Sequence, residues 1–570
     1  MYIKNHLLIF FFVFCVLSTS CQLNNIGKHS DKGMVVTAHF LASQVGKQIL
    51  DQGGNAFDAA VAVQFALEVV YPRAGNIAGG GFALIRTDDG EYDALDFREK
   101  APKAATKNMY QDRDGNVIPG LSQLGYLAVG VPGSVDGMVR LHQKYGKLKW
   151  SELIGPAIKL AGEGVILTEL EAKKLTAYQE QIQQINKAYK NNPYQKKQAF
   201  VKGDTIVNPE LAATLIRIQK EGRSGFYDGT TAELILREMK QHHGLITDQD
   251  LQDYRAVWRT PITGIYRDCK VIGMPPPSSG GIALIQLLKG AEKYPVSKFG
   301  FASTKYIHLL IELERRVFAD RAKYMGDADF YPVPTQKLIS ASYLNSRFAD
   351  IQMNQKTDSR EVTDGAVDLI ESFETTHFSI ADKDGNAIAI TTTLNGNYGS
   401  KVVVKGGGFF LNNEMDDFSA KPGVPNQFGL IGGKANAIQP GKRMLSSMSP
   451  TIVEKNNKLF MILGSPGGST IITSVFQNII NAVDFKMNPK QIVNAPRFHS
   501  QCLPDEVYVE PNLLSDSIRN QLEQMGHIIK EVSKIGMMAN IMVDDSGSYH
   551  GIADTLRHAD SRAIGCVSAK

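Results

Sequence analysis

The sequence predicts an α+β protein whose helices and short strands are layered around one large core, and three observations carry that expectation. A helical apolar pattern in "NAFDAAVAVQFALEVV" (55–70) passes through Pro72 into the strand-like "AGGGFALIR" (78–86). Two later runs, "GNAIAITTTL" (385–394) and "KLFMILGS" (458–465), have β-branched strand character. The second of them ends at "GSPGGST" (464–470) and runs into the helix-like "IITSVFQNIINAV" (471–483). No low-complexity linker divides the chain.

Taken in order, the first element is a leader. "MYIKNHLLIFFFVFCVLSTSC" has Lys4, an apolar core from Leu7 to Leu17 and small residues before Cys21. The apolar run is too short to span a bilayer and reads as a secretory signal over residues 1–20. It resembles a bacterial lipoprotein signal with Cys21 as the lipidated residue, although Leu17 sits one place further back than that pattern expects. Cleavage after Ser20 by an ordinary signal peptidase is the alternative. Either way the mature protein is expected to be exported, as a periplasmic or a membrane-anchored form. Its net charge falls from +4 to +3 with the loss of Lys4.

Asn55 or Asp58 is expected to open the 55–70 helix. Long helical patterns follow at 168–192 and 304–325, and the polar stretch 355–374 reads as a loop. The composition, 43% hydrophobic and 21% charged, is that of a globular protein, and no basic block interleaved with aromatics points to nucleic acid. The cysteines show no metal-ligand spacing, and no disulfide framework is implied.

Chemistry enters at "FETTHFSIADKDGNAIAITTTLN" (373–395). "DKDGN" (382–386) is a turn signal between two strand-like runs, so Thr375 folds back to within a residue or so of Thr393. Internal threonines are usually plain strand formers. A cut before Thr375, however, would place its hydroxyl beside its own α-amino group, whose pKa is roughly 7.7–8.0 and which can serve as general base. Thr393 could hold that nucleophile in place. Gly467 and Gly468 offer backbone amides at the start of a helix, where they suit a developing oxyanion. The same turn lacks the lysine of a phosphate loop. "DKDGN" also fails as a calcium loop, since Ala387 and Thr393 stand where glycine and glutamate are required.

Together these residues resemble the bacterial γ-glutamyltransferases, members of the N-terminal-nucleophile hydrolases. The resemblance spans nearly the whole mature chain. It includes "GGNAFDAAVA" (53–62), "GNIAGGGF" (75–82), "DFREKAP" (96–102), "VGVPGSVDG" (129–137), "MPPPSSGGI" (274–282) and "FADRAKYMGDADF" (318–330). It continues through the threonine-led motif, "LNNEMDDFSAKPGVPN" (411–426), "RMLSSMSPTIV" (443–453) and "GSPGGS" (464–469).

The resemblance implies a four-layer αββα fold built from two interleaved subunits. Self-cleavage between Glu374 and Thr375 would give a large subunit, residues 21–374, and a small catalytic one, residues 375–570. Thr375 would be the nucleophile, Thr393 its hydrogen-bonding partner, and Gly467 and Gly468 the oxyanion hole. Arg98, Ser446 and Ser447 would hold the substrate α-carboxylate, a task for which a planar guanidinium is suited. Asn395, Glu414 and Asp417 would surround the α-ammonium with acceptors. Residues 421–433 match a lid loop in which Phe428 stands where well-known bacterial members carry tyrosine, leaving the balance of transfer and hydrolysis open. His377 is expected to be structural.

The implied activity is acyl transfer from glutathione and other γ-glutamyl compounds to water, amino acids or dipeptides, without metal or cofactor. A related glutaryl (cephalosporin) acylase is the first alternative. The second is an uncleaved lipoprotein that binds glutathione or peptides without turnover.

Overall fold

The computed structural model describes residues 27–362, 375–421, 423–430 and 432–566. Two seven-stranded sheets form its middle. The first runs, edge to edge, Lys28–Ser30, Tyr549–Ala553, Ala539–Val543, Lys458–Leu463, Thr451–Lys455, Cys269–Gly273 and Ile262–Tyr266. The second runs Arg562–Gly565, Gly33–Thr37, Thr376–Asp382, Ala387–Thr393, Gly80–Arg86, Tyr92–Asp96 and Val257–Arg259.

Strand alternation sorts the side chains into layers. In the second sheet Val35, Ile85, Phe378 and Ile380 share a core with the helices Phe40–Asp51, Ala56–Val70 and Trp150–Glu163. Their neighbours Met34, Val36, Leu84 and Ala381 face the other way, onto Ile272, Ile452, Ile462 and Ile541 of the first sheet. The far side of that sheet, with Val271, Val453 and Leu463, packs on Gly280–Glu292, Thr304–Tyr324 and Thr470–Val483. The order is therefore helix, sheet, sheet, helix, as the resemblance implies.

Local chemistry explains the element ends. Asn55 is the N-cap of Ala56–Val70: its side chain accepts from Phe57 and Asp58 N–H while Asp58 answers to the Asn55 N–H. The 168–192 pattern forms a helix only over Glu169–Ile185. It stops there because Asn186 turns its amide to the Ile182 and Lys401 carbonyls, at 2.7 Å each, and accepts from Val403 N–H at 2.9 Å. At "DKDGN" the Asp382 carboxylate accepts from Asp384 and Asn386 N–H and, across the layers, from Ala56 N–H at 2.9 Å.

Candidate active site

The hairpin of Thr376–Asp382 and Ala387–Thr393 sets the site. Its register pairs Thr376 with Thr392, so the next step along the ladder brings Thr375 level with Thr393. Alternation also fixes which way these side chains face. Thr392 turns toward the helices, where its hydroxyl meets Gln64 and Asn76 and donates to Gly80 O at 2.9 Å. Thr375 and Thr393 lie on the opposite face, in line with His377 and Thr391.

His377 is consumed by structure. Its ring meets Thr391 Oγ1 at 2.8 Å and Ser379 Oγ at 3.1 Å, and it lies so near Gly464 that a Cβ there would fall 2.3 Å from it. Burial pushes its pKa down to about 3, so it stays neutral.

Beyond the hairpin end lies one small cavity. Its walls include Thr375, Thr393, Asn395, Arg98, Glu414, Asp417, Ser446, Ser447, Phe428 and Gly468. Residues more than 300 positions apart in sequence thus share one cavity. Asn395, in the left-handed region at φ +71°, donates its N–H to Thr393 Oγ1 at 2.7 Å and so fixes that hydroxyl. Its side-chain amide donates to Asn413 O at 3.0 Å, leaving the carbonyl oxygen to accept from a ligand.

Arg98 follows the strand Tyr92–Asp96 and is 1% exposed. Its guanidinium is bonded to Glu414 and Asp417, with Glu99 at 3.7 Å. Burial opposes the Arg98 charge, but these carboxylates outweigh it and hold the group protonated. Burial raises the Glu99 carboxyl to about 7 and pushes Glu414 well above the carboxylate range, and Arg98 offsets this only in part. Burial thus disfavours the charge on both neighbouring carboxyls, and the Arg98 guanidinium opposes it. Ser446 is held through its backbone by Pro277 and Ser279, whereas the buried Ser447 hydroxyl has no hydrogen-bond partner in the protein. A donor on the cavity wall is thus left unspent, as an anionic ligand group requires.

Gly467 (φ +138°) and Gly468 (φ +54°) turn the chain into Thr470–Val483, and Thr470 caps that turn on Gly467 O at 3.0 Å. Gly468 lines the cavity, and Gly467 is not one of its wall residues. Phe428 lies directly over Gly468, where an added Cβ would fall 2.8 Å from the ring. Phe428 and Leu430 form this wall of the cavity, and Phe428 brings no ring hydroxyl to it. Asp416 accepts from Gln427 N–H at 3.0 Å, Asn426 donates to Asp417 at 3.0 Å, and Gln501 donates to Gly429 O at 3.0 Å.

The sequence-predicted residues that fall outside the described residues are Glu374 and Cys21. Four wall residues were not singled out from sequence: Arg321, Leu430, Met448 and Ile471. Arg321 lies within the quoted "FADRAKYMGDADF", where a charged residue inside a buried helix was the available signal. Glu99 was likewise inside "DFREKAP".

Comparison with known proteins agrees with this geometry. The family model described as gamma-glutamyltranspeptidase matches residues 42–564. The chain is 45% identical to the glutathione hydrolase proenzyme of Escherichia coli (strain K12), over 92% of this chain and 90% of that protein. It is 46% identical to the glutathione hydrolase proenzyme of Pseudomonas aeruginosa, over 94% and 95% respectively. Among solved structures, cephalosporin acylase from Bacillus halodurans superposes with a TM-score of 0.83 at 27% identity, covering 95% of this chain and 97% of that one. With the matched range covering every wall of the cavity, the chain belongs to the gamma-glutamyltranspeptidase family of N-terminal-nucleophile hydrolases.

Proposed function

We propose that this enzyme is a self-cleaving γ-glutamyltransferase and glutathione hydrolase whose nucleophile is Thr375. The observation that carries the reading is the register that sets Thr375 level with Thr393 at the mouth of a cavity whose far walls hold opposite charges.

In maturation, the Thr375 hydroxyl attacks the Glu374 carbonyl, the peptide C–N bond breaks, and the resulting ester is hydrolysed. This frees the Glu374 carboxylate and the Thr375 amine and yields the 21–374 and 375–570 subunits. In turnover, that amine takes the hydroxyl proton as Oγ attacks the substrate γ-carbonyl. The Gly467 and Gly468 amides at the helix start receive the oxyanion. The amine product leaves with the proton, and water or an amino-acid or dipeptide amine then attacks the γ-glutamyl ester. Arg98, Ser446 and Ser447 hold the α-carboxylate; Asn395, Glu414 and Asp417 hold the α-ammonium. The last three distinguish a γ-glutamyl donor from a glutaryl one, which has no cation for them to meet.

The test is a stopped incubation with γ-glutamyl-p-nitroanilide, followed by intact mass. Nitroaniline release with one glutamyl residue added to the fragment that begins at Thr375 supports the assignment. Release with no mass gain there, or cleavage of glutaryl-p-nitroanilide alone, refutes it.

The leader supports export, and lipidation at Cys21 is the preferred form. No helix among the described residues is long and apolar enough to cross a membrane. Fractionation of wild type and Cys21→Ser checks the anchor: the variant moves from the membrane to the soluble fraction if the lipid is the attachment.

A further inference from the structure

We propose that Arg321 is a second binding cation of the acyl pocket, joining Ser446 and Ser447 on the α-carboxylate of the γ-glutamyl donor. This rests on the γ-glutamyl reading of the cavity given above.

Arg321 lies in the last turn of Thr304–Tyr324, is 4% exposed, and contributes to the cavity wall beside Arg98, Ser446 and Ser447. Its side chain makes one hydrogen bond, from Nε to Ser279 Oγ at 3.0 Å, and no ion pair among the described residues. That sets it apart from the other deeply buried arginines. Arg73 is paired with Glu171, Arg98 with Glu414, Arg315 and Arg316 with Glu312, Arg443 with Asp96 and Arg497 with Asp554. Asp417 across the cavity favours the Arg321 charge without forming an ion pair with it, and a buried guanidinium with no carboxylate in direct contact is costly to the fold unless an anion arrives later. Burial lowers its pKa to about 10, which leaves it charged at neutral pH.

Its position names the anion. The Ser279 hydroxyl that receives Arg321 Nε itself donates to Ser446 O at 2.7 Å. Arg321 is thus anchored against the backbone of the serine pair, where the Ser447 hydroxyl is unspent. Arg98 alone cannot supply a net positive field for a carboxylate, since Glu414, Asp417 and Glu99 crowd it. Arg321 restores the balance. Two guanidinium groups then face three carboxyls, two of which, Glu99 and Glu414, burial pushes toward the neutral form. On its other side Arg321 borders a wider cleft, whose acidic groups are Asp320, paired with Arg347 at 3.0 Å, and the exposed Glu361. Neither is bound to Arg321.

The experiment compares γ-glutamyl-p-nitroanilide with 4-aminobutanoyl-p-nitroanilide, which keeps the amine and lacks the α-carboxylate, in wild type, Arg321→Gln and Arg321→Lys. Intact mass first establishes that each variant is cleaved. A charge-assisted contact is worth roughly 10- to 100-fold in affinity. Arg321→Gln is therefore expected to lose about that factor in kcat/KM on the glutamyl substrate, mostly through KM, while the aminobutanoyl substrate changes less than about threefold. Arg321→Lys falls between. An equal loss on both substrates would make Arg321 a scaffold residue and overturn the proposal, as would no loss on either. If Arg321→Gln stays uncut, the Lys variant decides by the same ratio. A wild type that hydrolyses neither substrate refutes the γ-glutamyl reading itself, a result distinct from failure of the Arg321 assignment.

Discussion

At the scale of single residues, the cavity separates groups the protein already satisfies from groups it leaves for a ligand. Ser447 belongs to the second kind. Its hydroxyl is buried without a partner, so Ser447→Ala should leave the melting temperature unchanged or slightly raised. The same change should raise KM for γ-glutamyl-p-nitroanilide by roughly tenfold, and calorimetry with steady-state kinetics reads both. Glu99 gives a pH signature. Burial raises its folded pKa from 4.5 to about 7, so its favourable contribution is complete below 4.5 and is lost as pH rises through about 7. The stability difference between wild type and Glu99→Gln should therefore shift against wild type over that window, with a flat difference contradicting the assignment. Thr375 stood out from the turn signal that folds it back onto Thr393, whereas Arg98 and the serine pair were singled out only through the family resemblance. Glu99 and Arg321 were not, since their importance lies in which neighbours they lack, and that is a property of packing.

At the scale of elements, the hairpin and the Gly467–Gly468 turn do the positioning. The turn signal at "DKDGN" fixed the hairpin to within a residue, and the ladder then placed Thr375 against Thr393. The helix 168–192 was read too long because its apolar spacing continues past Ile185, while the Asn186 contacts that end it reach residues 401–403. The resemblance marks 421–433 as a lid loop but says nothing of the bonds that Asn426, Gln427 and Gly429 make. The bonds run through Asn426, Gln501 and Asp416, and none of them uses the Phe428 ring. Gly468→Ala tests this packing. The added methyl meets Phe428 at 2.8 Å, and φ +54° costs a non-glycine residue roughly 1–2 kcal/mol. Turnover should fall at least about tenfold, and Phe428→Ala in the same chain should recover part of it. No recovery would mean that backbone strain, rather than the ring, is the obstacle.

At the scale of the whole molecule, both sheets mix strands from either side of Thr375. Gly33–Thr37 and Gly80–Arg86 flank the hairpin strands in one sheet, and Cys269–Gly273 pairs with Thr451–Lys455 in the other. Fragments produced by cleavage at Glu374–Thr375 therefore cannot part without breaking both sheets. They should co-elute as one particle in native size exclusion and separate only in denaturant. Apolar periodicity made the layers legible, but the interleaving rests on pairings hundreds of residues apart that no local pattern encodes.

The measurement that reaches the central claim most directly is the intact mass of purified wild type and Thr375→Ala after incubation at neutral pH. Wild type should resolve into two fragments meeting at Glu374–Thr375, with the variant whole and inactive. A folded wild type that remains one uncut chain, or a Thr375→Ala variant that still cleaves at that bond, would contradict a nucleophile made by the chain itself.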